Sequence, residues 1–171
     1  MKLHALLPVL KKEIPLKAHA HRADDIFTAL RIAKEFDVDI TLDHCTEGHL
    51  IVDELKAAGK PCLIGPTFGS RTKVELKNKS FETPKALIEA GIKTAIITDS
   101  NVIPIQHIAM CAGMAVKAGL SEEEAWKTIT IYPAEITGID DKVGSLKVGK
   151  DADIAIFKGN PLLDVDYETV M

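Results

Sequence analysis

Ile14-Pro-Leu-Lys-Ala-His19, Val38-Asp-Ile-Thr-Leu-Asp-His44 and Thr94-Ala-Ile-Ile-Thr-Asp99 are short apolar stretches, each running into a residue that can bind a metal ion. Segments with helical spacing separate them. If the stretches are successive parallel strands, His19, His44 and Asp99 gather at their carboxyl ends, the face on which such sheets carry their sites. Imidazole nitrogens and a carboxylate oxygen suit Zn²⁺ and related divalent ions. The layout is that of a metal-dependent hydrolase, or of half of one.

Working outward, Leu3, Leu6, Leu7 and Leu10 recur at helical spacing ahead of the first stretch. Residues 23–36 read as a helix with Asp24 and Asp25 in the first turn, where the helix dipole favours carboxylates. A helix near 50–58 stops at Gly59, and Pro61-Cys-Leu-Ile64 is a continuously apolar strand of the buried parallel kind. Residues 65–80 form a long polar loop, a helix near 84–90 ends at Gly91, and a further helix spans about 104–118. Ser121 and Glu124 make a capping-box pattern before another helix, to about Ile131. Gly144-Ser-Leu-Lys-Val-Gly-Lys-Asp-Ala-Asp-Ile-Ala-Ile-Phe-Lys158 reads as short strands joined by a Gly-Lys turn.

Four strand–helix units in a row predict an α/β fold with a parallel sheet. A closed barrel needs eight such units, so a small open sheet and half of a barrel both remain consistent with the alternation.

At 171 residues, with 46% hydrophobic and 27% charged residues, the chain has the composition of a globular protein able to bury one good core. The net charge of -4, with no basic block, gives a nucleic-acid partner no electrostatic support. No apolar run approaches a membrane span and no signal peptide opens the chain, so no membrane partner is expected. Cys45, Cys62 and Cys111 are scattered and odd in number, which argues against a disulfide framework and fits a reducing cytoplasm.

Each candidate also has a plainer reading. His19 could be a polar residue at a strand end, and Asp99 with Ser100 and Asn101 could be a turn. Cys45 points away from His44 in an extended strand and reads as a packed small hydrophobe rather than a ligand. His49 reads as a capping or packing residue, and His4 and His107 as structural. Arg71 and Lys73 could meet an anionic group of a substrate, although a charged loop is more often simply solvated. Trp126, Met110 and Met114 read as core packing.

His19-Ala-His21 after a strand, Asp43-His44-Cys-Thr-Glu-Gly-His49, Gly65-Pro66, Thr98-Asp99 and Gly144-Ser-Leu-x-x-Gly-Lys-Asp-Ala-Asp153 occur in an order that resembles the amidohydrolase superfamily, especially its imidazolonepropionase-like branch. The resemblance covers nearly the whole chain. It implies metal-dependent hydrolysis of C–N bonds in small amides or cyclic amides, on a (β/α)8 barrel with a small β-sandwich. It matches His19 to the strand-five ligand, His44 to the strand-six ligand and Asp99 to the strand-eight carboxylate, which binds metal and takes a proton from the attacking water. The implied metal is divalent, zinc first. The family's strand-one His-x-His pair and its strand-four lysine or glutamate cannot be placed upstream of His19. The chain is therefore expected to correspond to the C-terminal half of such a barrel, as a truncated or fragment form. Residues 1–139 would be the partial barrel with its C-terminal helical segment, and 140–171 the strands returning to the sandwich. His21 is then expected on the substrate side, with Arg71. An incomplete ligand set predicts weak metal binding and negligible hydrolysis by the chain alone, and open strand edges predict a homo-oligomer. The alternatives are a non-catalytic α/β domain and a half-enzyme that needs a partner chain with the missing strands.

Overall fold

The computed structural model describes residues 2–164 and 168–169. Four strands form one sheet in the order β1 (Leu16–Ala20), β2 (Ile40–His44), β3 (Cys62–Ile64) and β4 (Thr94–Ile96), every neighbouring pair parallel. The alternation expected from the sequence is thus present, with α2 (Ala23–Glu35), α3 (Val52–Ala58) and α4 (Thr83–Glu89) as the crossovers, and matches part of a TIM-type barrel. A 3₁₀ turn, Lys2–Leu6, and the short helix α1 (Leu7–Leu10) precede the sheet.

The helices begin and end where local chemistry places them. α3 stops at Gly59, whose left-handed φ of 63° costs a glycine little. α2 has no side-chain cap of its own; Glu47, beyond β2, accepts the Ala23 N–H at 2.8 Å instead. Beyond β4 come α5 (Ile108–Lys117), α6 (Glu122–Ile129) and α7 (Ile131–Thr137). Ser121 Oγ accepts the Glu124 N–H at 3.2 Å, the capping contact that the Ser-x-x-Glu spacing predicted.

Two apolar clusters hold the chain together. One packs Ile26, Leu42, Leu55, Ile64 and Leu87 between sheet and helices. The other joins Ile96 to Cys111, Ala112, Ala115, Ala125 and Leu162, with Trp126 partly buried against it. Gly113 lets the chain at Leu162 lie directly on α5, because a Cβ there would sit 2.0 Å from the Leu162 carbonyl oxygen.

One stretch departs from its sequence pattern. Between Gly144 and Ile156 no strand forms; pairing is confined to β5 (Phe157–Lys158) with β6 (Glu168–Thr169), antiparallel. Alternating apolar residues make a strand only where a partner backbone is in reach, and Ile154 and Ile156 remain exposed. Residues 1, 165–167 and 170–171 of the predicted elements lie outside the described residues. Among the described residues no helix is long and apolar enough to cross a membrane.

Candidate metal and hydrolytic site

β1 and β2 run in register, His19 opposite Asp43 and Ala20 opposite His44, so both strands deliver histidines to the same end of the sheet. The chain then turns abruptly. His44 (φ 71°), Cys45 (φ 42°) and Asp99 (φ 50°) all occupy the left-handed region that non-glycine residues seldom adopt. Such strain concentrates at functional sites, where surrounding bonds hold it. Here the Cys45 N–H reaches the Ala20 carbonyl at 2.9 Å, and the Glu47 N–H reaches the His21 carbonyl at 2.9 Å.

The result brings together His19, His21 and His44, with one ligand nitrogen from each all lying within 4.8 Å of one another. His21 stacks on His44, with ring centroids 4.6 Å apart and planes 17° apart, while His19 meets both rings edge-on. His44 Nδ1 lies 2.6 Å from the Gly65 carbonyl oxygen. A carbonyl only accepts, so Nδ1 carries the hydrogen and Nε2 is the His44 nitrogen left to coordinate. His21 Nδ1 pairs with Thr46 Oγ1 at 2.7 Å. Burial, reinforced by the His44 charge and partly offset by Glu75, lowers the His21 pKa to about 4, so its imidazole is neutral near pH 7.

Three imidazoles at this separation fit a divalent ion. A tetrahedral zinc centre sets its ligand nitrogens about 3.4 Å apart, within reach of small side-chain rotations from the distances seen. Asp99 lines the same cavity, of about 450 Å³, but stands outside the close histidine group. Lys73 and Lys79 also line it.

Arg71 is elsewhere. It lines a separate cavity of about 690 Å³ with His49, Lys77, Asn78 and Lys79, and donates from Nη2 to the Lys79 carbonyl at 2.7 Å. His49, read from the sequence as a packing residue, bonds Thr83 Oγ1 through Nδ1 at 2.8 Å and faces this cavity. Thr46 and the Gly65 carbonyl, which orient two of the three histidines, carry no local spacing signal. Cys45 is fully buried, in keeping with a packing role, and all three cysteines are free.

Comparison with known proteins agrees with this geometry. The Amidohydrolase family model matches residues 10–170. An imidazolonepropionase of Maricaulis maris is 32% identical over 149 residues, covering 84% of this chain and 35% of the relative. An amidohydrolase of Hapsidospora irregularis is 26% identical over 163 residues, 92% of this chain and 16% of the relative. Among solved structures, an amidohydrolase from Thermotoga maritima superposes with a TM-score of 0.94 at 39% identity, over 98% of this chain and 44% of that one. A zinc-bound adenosine deaminase from Xanthomonas campestris shares the fold at 19% identity and a TM-score of 0.61. The chain thus spans less than half the length of these relatives. With the family model matching nearly all of the chain and the histidines grouped at the carboxyl end of its sheet, this protein belongs to the amidohydrolase family, on the imidazolonepropionase-like branch.

Proposed function

We propose that this protein is part of a metal-dependent hydrolase that cleaves C–N bonds of small amides or cyclic amides, centred on the cavity of His19, His21, His44 and Asp99. The observation that carries the reading is the cluster of three imidazoles at the carboxyl ends of parallel strands in a member of this family. His19 and His44 would hold a divalent ion, with Asp99 as the third candidate ligand; zinc suits the imidazole donors best. When bound, such an ion polarises the amide carbonyl and lowers the pKa of water toward neutrality. Asp99 accepts the proton of the attacking water and delivers it to the leaving nitrogen. The Gly65 carbonyl keeps Nε2 of His44 available as a donor. Neutral His21 faces the substrate, its ring set by Thr46 and its Nε2 3.9 Å from Glu75 Oε1.

Residues 1–139 are assigned to the barrel and 140–171 to a segment of a small sandwich. Since the chain covers 44% of the Thermotoga maritima amidohydrolase, hydrolysis is assigned to the barrel that these strands help to build. Among the described residues β1 has one strand neighbour, and we assign its open edge to pairing with another strand-bearing chain, in the simplest case a second copy. A stable monomer in sedimentation at micromolar concentration would overturn that assignment. The buried free thiols suit a reducing compartment, and the cytoplasm is the proposed location.

The test is titration of chelator-stripped protein with zinc, in parallel with His44→Ala. Weak but saturable uptake by the parent, reduced more than tenfold in the variant, is expected. Equal uptake by the two proteins, or none by the parent, sinks the metal reading.

A further inference from the structure

Two methionines on α5 are not taken up by the core. Met110 and Met114 stand four residues apart, so their side chains are neighbours on one helical face. His107, the residue that starts the helix, lies three positions before Met110 on the same face. All three line a cavity of about 370 Å³ whose opposite wall is Pro161, Leu162 and Leu163. This cavity shares no lining residue with the histidine cavity.

Packing does not account for the pair. The sequence spacing reads as a core stripe, yet neither methionine belongs to either apolar cluster, and both are half-buried. The buried residues of α5 are small ones on its other face: Ala109, Cys111, Ala112, Gly113 and Ala115. The cavity wall opposite is fixed, because Gly113 lets the Leu162 backbone rest directly on the helix. Among the described residues the His107 imidazole has no hydrogen-bond or ion-pair partner. Lys117 and Asp164, opposite in charge and both exposed, complete the rim, and Asp164 Oδ2 accepts the Asn160 N–H at 2.8 Å.

The donor set is chemically selective. Thioether sulfur is soft and favours copper(I), for which imidazole is also a good ligand. Zinc draws instead on thiolate, imidazole and carboxylate. Two sulfurs and one nitrogen carry no charge of their own, so the site suits an ion with a single charge to bury. The rotatable bonds of methionine let both sulfurs close on an ion without moving the helix.

We infer that His107, Met110 and Met114 form a copper(I) site, with one imidazole nitrogen and two thioether sulfurs as its ligands. The site stands on its own residues and does not depend on the hydrolase reading above.

The experiment titrates the full chain, with its methionine methyl groups isotope-labelled, with copper(I) supplied as its acetonitrile complex under nitrogen. The methyl signals of Met110 and Met114, assigned through Met110→Leu and Met114→Leu, should move together and saturate at one ion per chain. The three free cysteines are buried, and the signals followed belong to the methionines alone. Each leucine variant conserves volume and should weaken binding at the remaining methionine by about tenfold or more. His107→Asn, at an exposed position where the fold is not at stake, should weaken binding several-fold. Zinc should move neither methyl signal. Unmoved signals, equal movement with zinc, a Met110 shift retained in Met114→Leu, or full affinity in His107→Asn each overturns the proposal. His44→Ala should leave the copper(I) shifts unchanged, so failure of the hydrolytic metal site and failure of this one read out separately.

Discussion

β1 and β2 are five-residue parallel strands paired along their whole length, and each brings histidines to the site. Their burial is opposite. β2 lies between β1 and β3, and Leu42 at its centre is fully buried; among the described residues β1 has one strand neighbour, and Leu16, Lys17 and His19 are exposed. His44 is correspondingly buried and bonded to the Gly65 carbonyl, whereas His19 meets its surroundings through the edges of two other rings. A strand flanked on both sides presets its terminal side chain, and a strand flanked on one side only delivers it. Much of what the site needs is therefore stored in β2 and β3.

The largest effect should separate the two strands by stability. Leu42→Ala removes a fully buried side chain from the core cluster and should destabilise by about 2–5 kcal/mol. Leu16→Ala, at 39% exposure on the edge strand, should change stability by less than about 1 kcal/mol. Chemical denaturation of both variants measures the contrast; equal losses would mean that β1 is as well packed as β2.

Zinc affinity should separate them next. His44→Ala should weaken binding by about a hundredfold or more, beyond the effect of His19→Ala, because His44 enters with tautomer and ring already fixed. Gly65→Ala attacks the same device without touching a ligand. Its φ is 142°, and a Cβ would lie 2.0 Å from the Ile97 carbonyl oxygen, so the loop must shift and take the carbonyl from His44. A loss of about 10–100-fold is expected, in the range of outer partners of metal ligands. If His19→Ala proves the more damaging substitution, preorganisation is not what distinguishes the strands.

The difference between the strands also explains what could be read in the sequence. Apolar runs ending in His19, His44 and Asp99, with helices between, depend on local periodicity, and the parallel sheet followed from it. The stop at Gly59 and the cap at Ser121 are local as well. What escaped depends on contacts across the fold. His21 joins the close cluster because the chain turns at His44 and Cys45 through left-handed conformations, which no spacing encodes. Asp99, legible as a strand-end carboxylate, lines the cavity at greater range. Lys79 lies in a loop read as solvated and is buried only because its ammonium turns back to Gly69 and Ser70. Among the described residues, the alternation before Phe157 has no partner strand to make it a sheet.

Away from the sheet, close packing should again decide the magnitude. Gly113→Ala forces a Cβ against the Leu162 backbone and should cost about 1–3 kcal/mol by displacing the segment that rests on α5. Thermal unfolding with unchanged zinc affinity is the expected pair of results. A change in zinc affinity would show that the helical cluster supports the histidines directly.

The smallest effect is expected in the charged pairs of α6 and α7, which resemble β1 in being bounded by solvent. Lys127 and the Tyr132 hydroxyl both bond Glu124, at 2.9 and 2.7 Å, and hold its carboxyl below the ordinary carboxylate pKa. A depressed carboxylate contributes stability that is fully present above its unfolded value, near 4.5, and is lost as pH falls through the folded value. Solvent screens the group, so Glu124→Gln should cost no more than about 1 kcal/mol at neutral pH. The gap between parent and variant should close on acidification below that range, because the parent's carboxyl is then protonated too. Urea denaturation of both proteins across pH 3–7 reads this directly. A gap that persists at the acid end would assign the loss to the geometry of the Tyr132 contact rather than to charge.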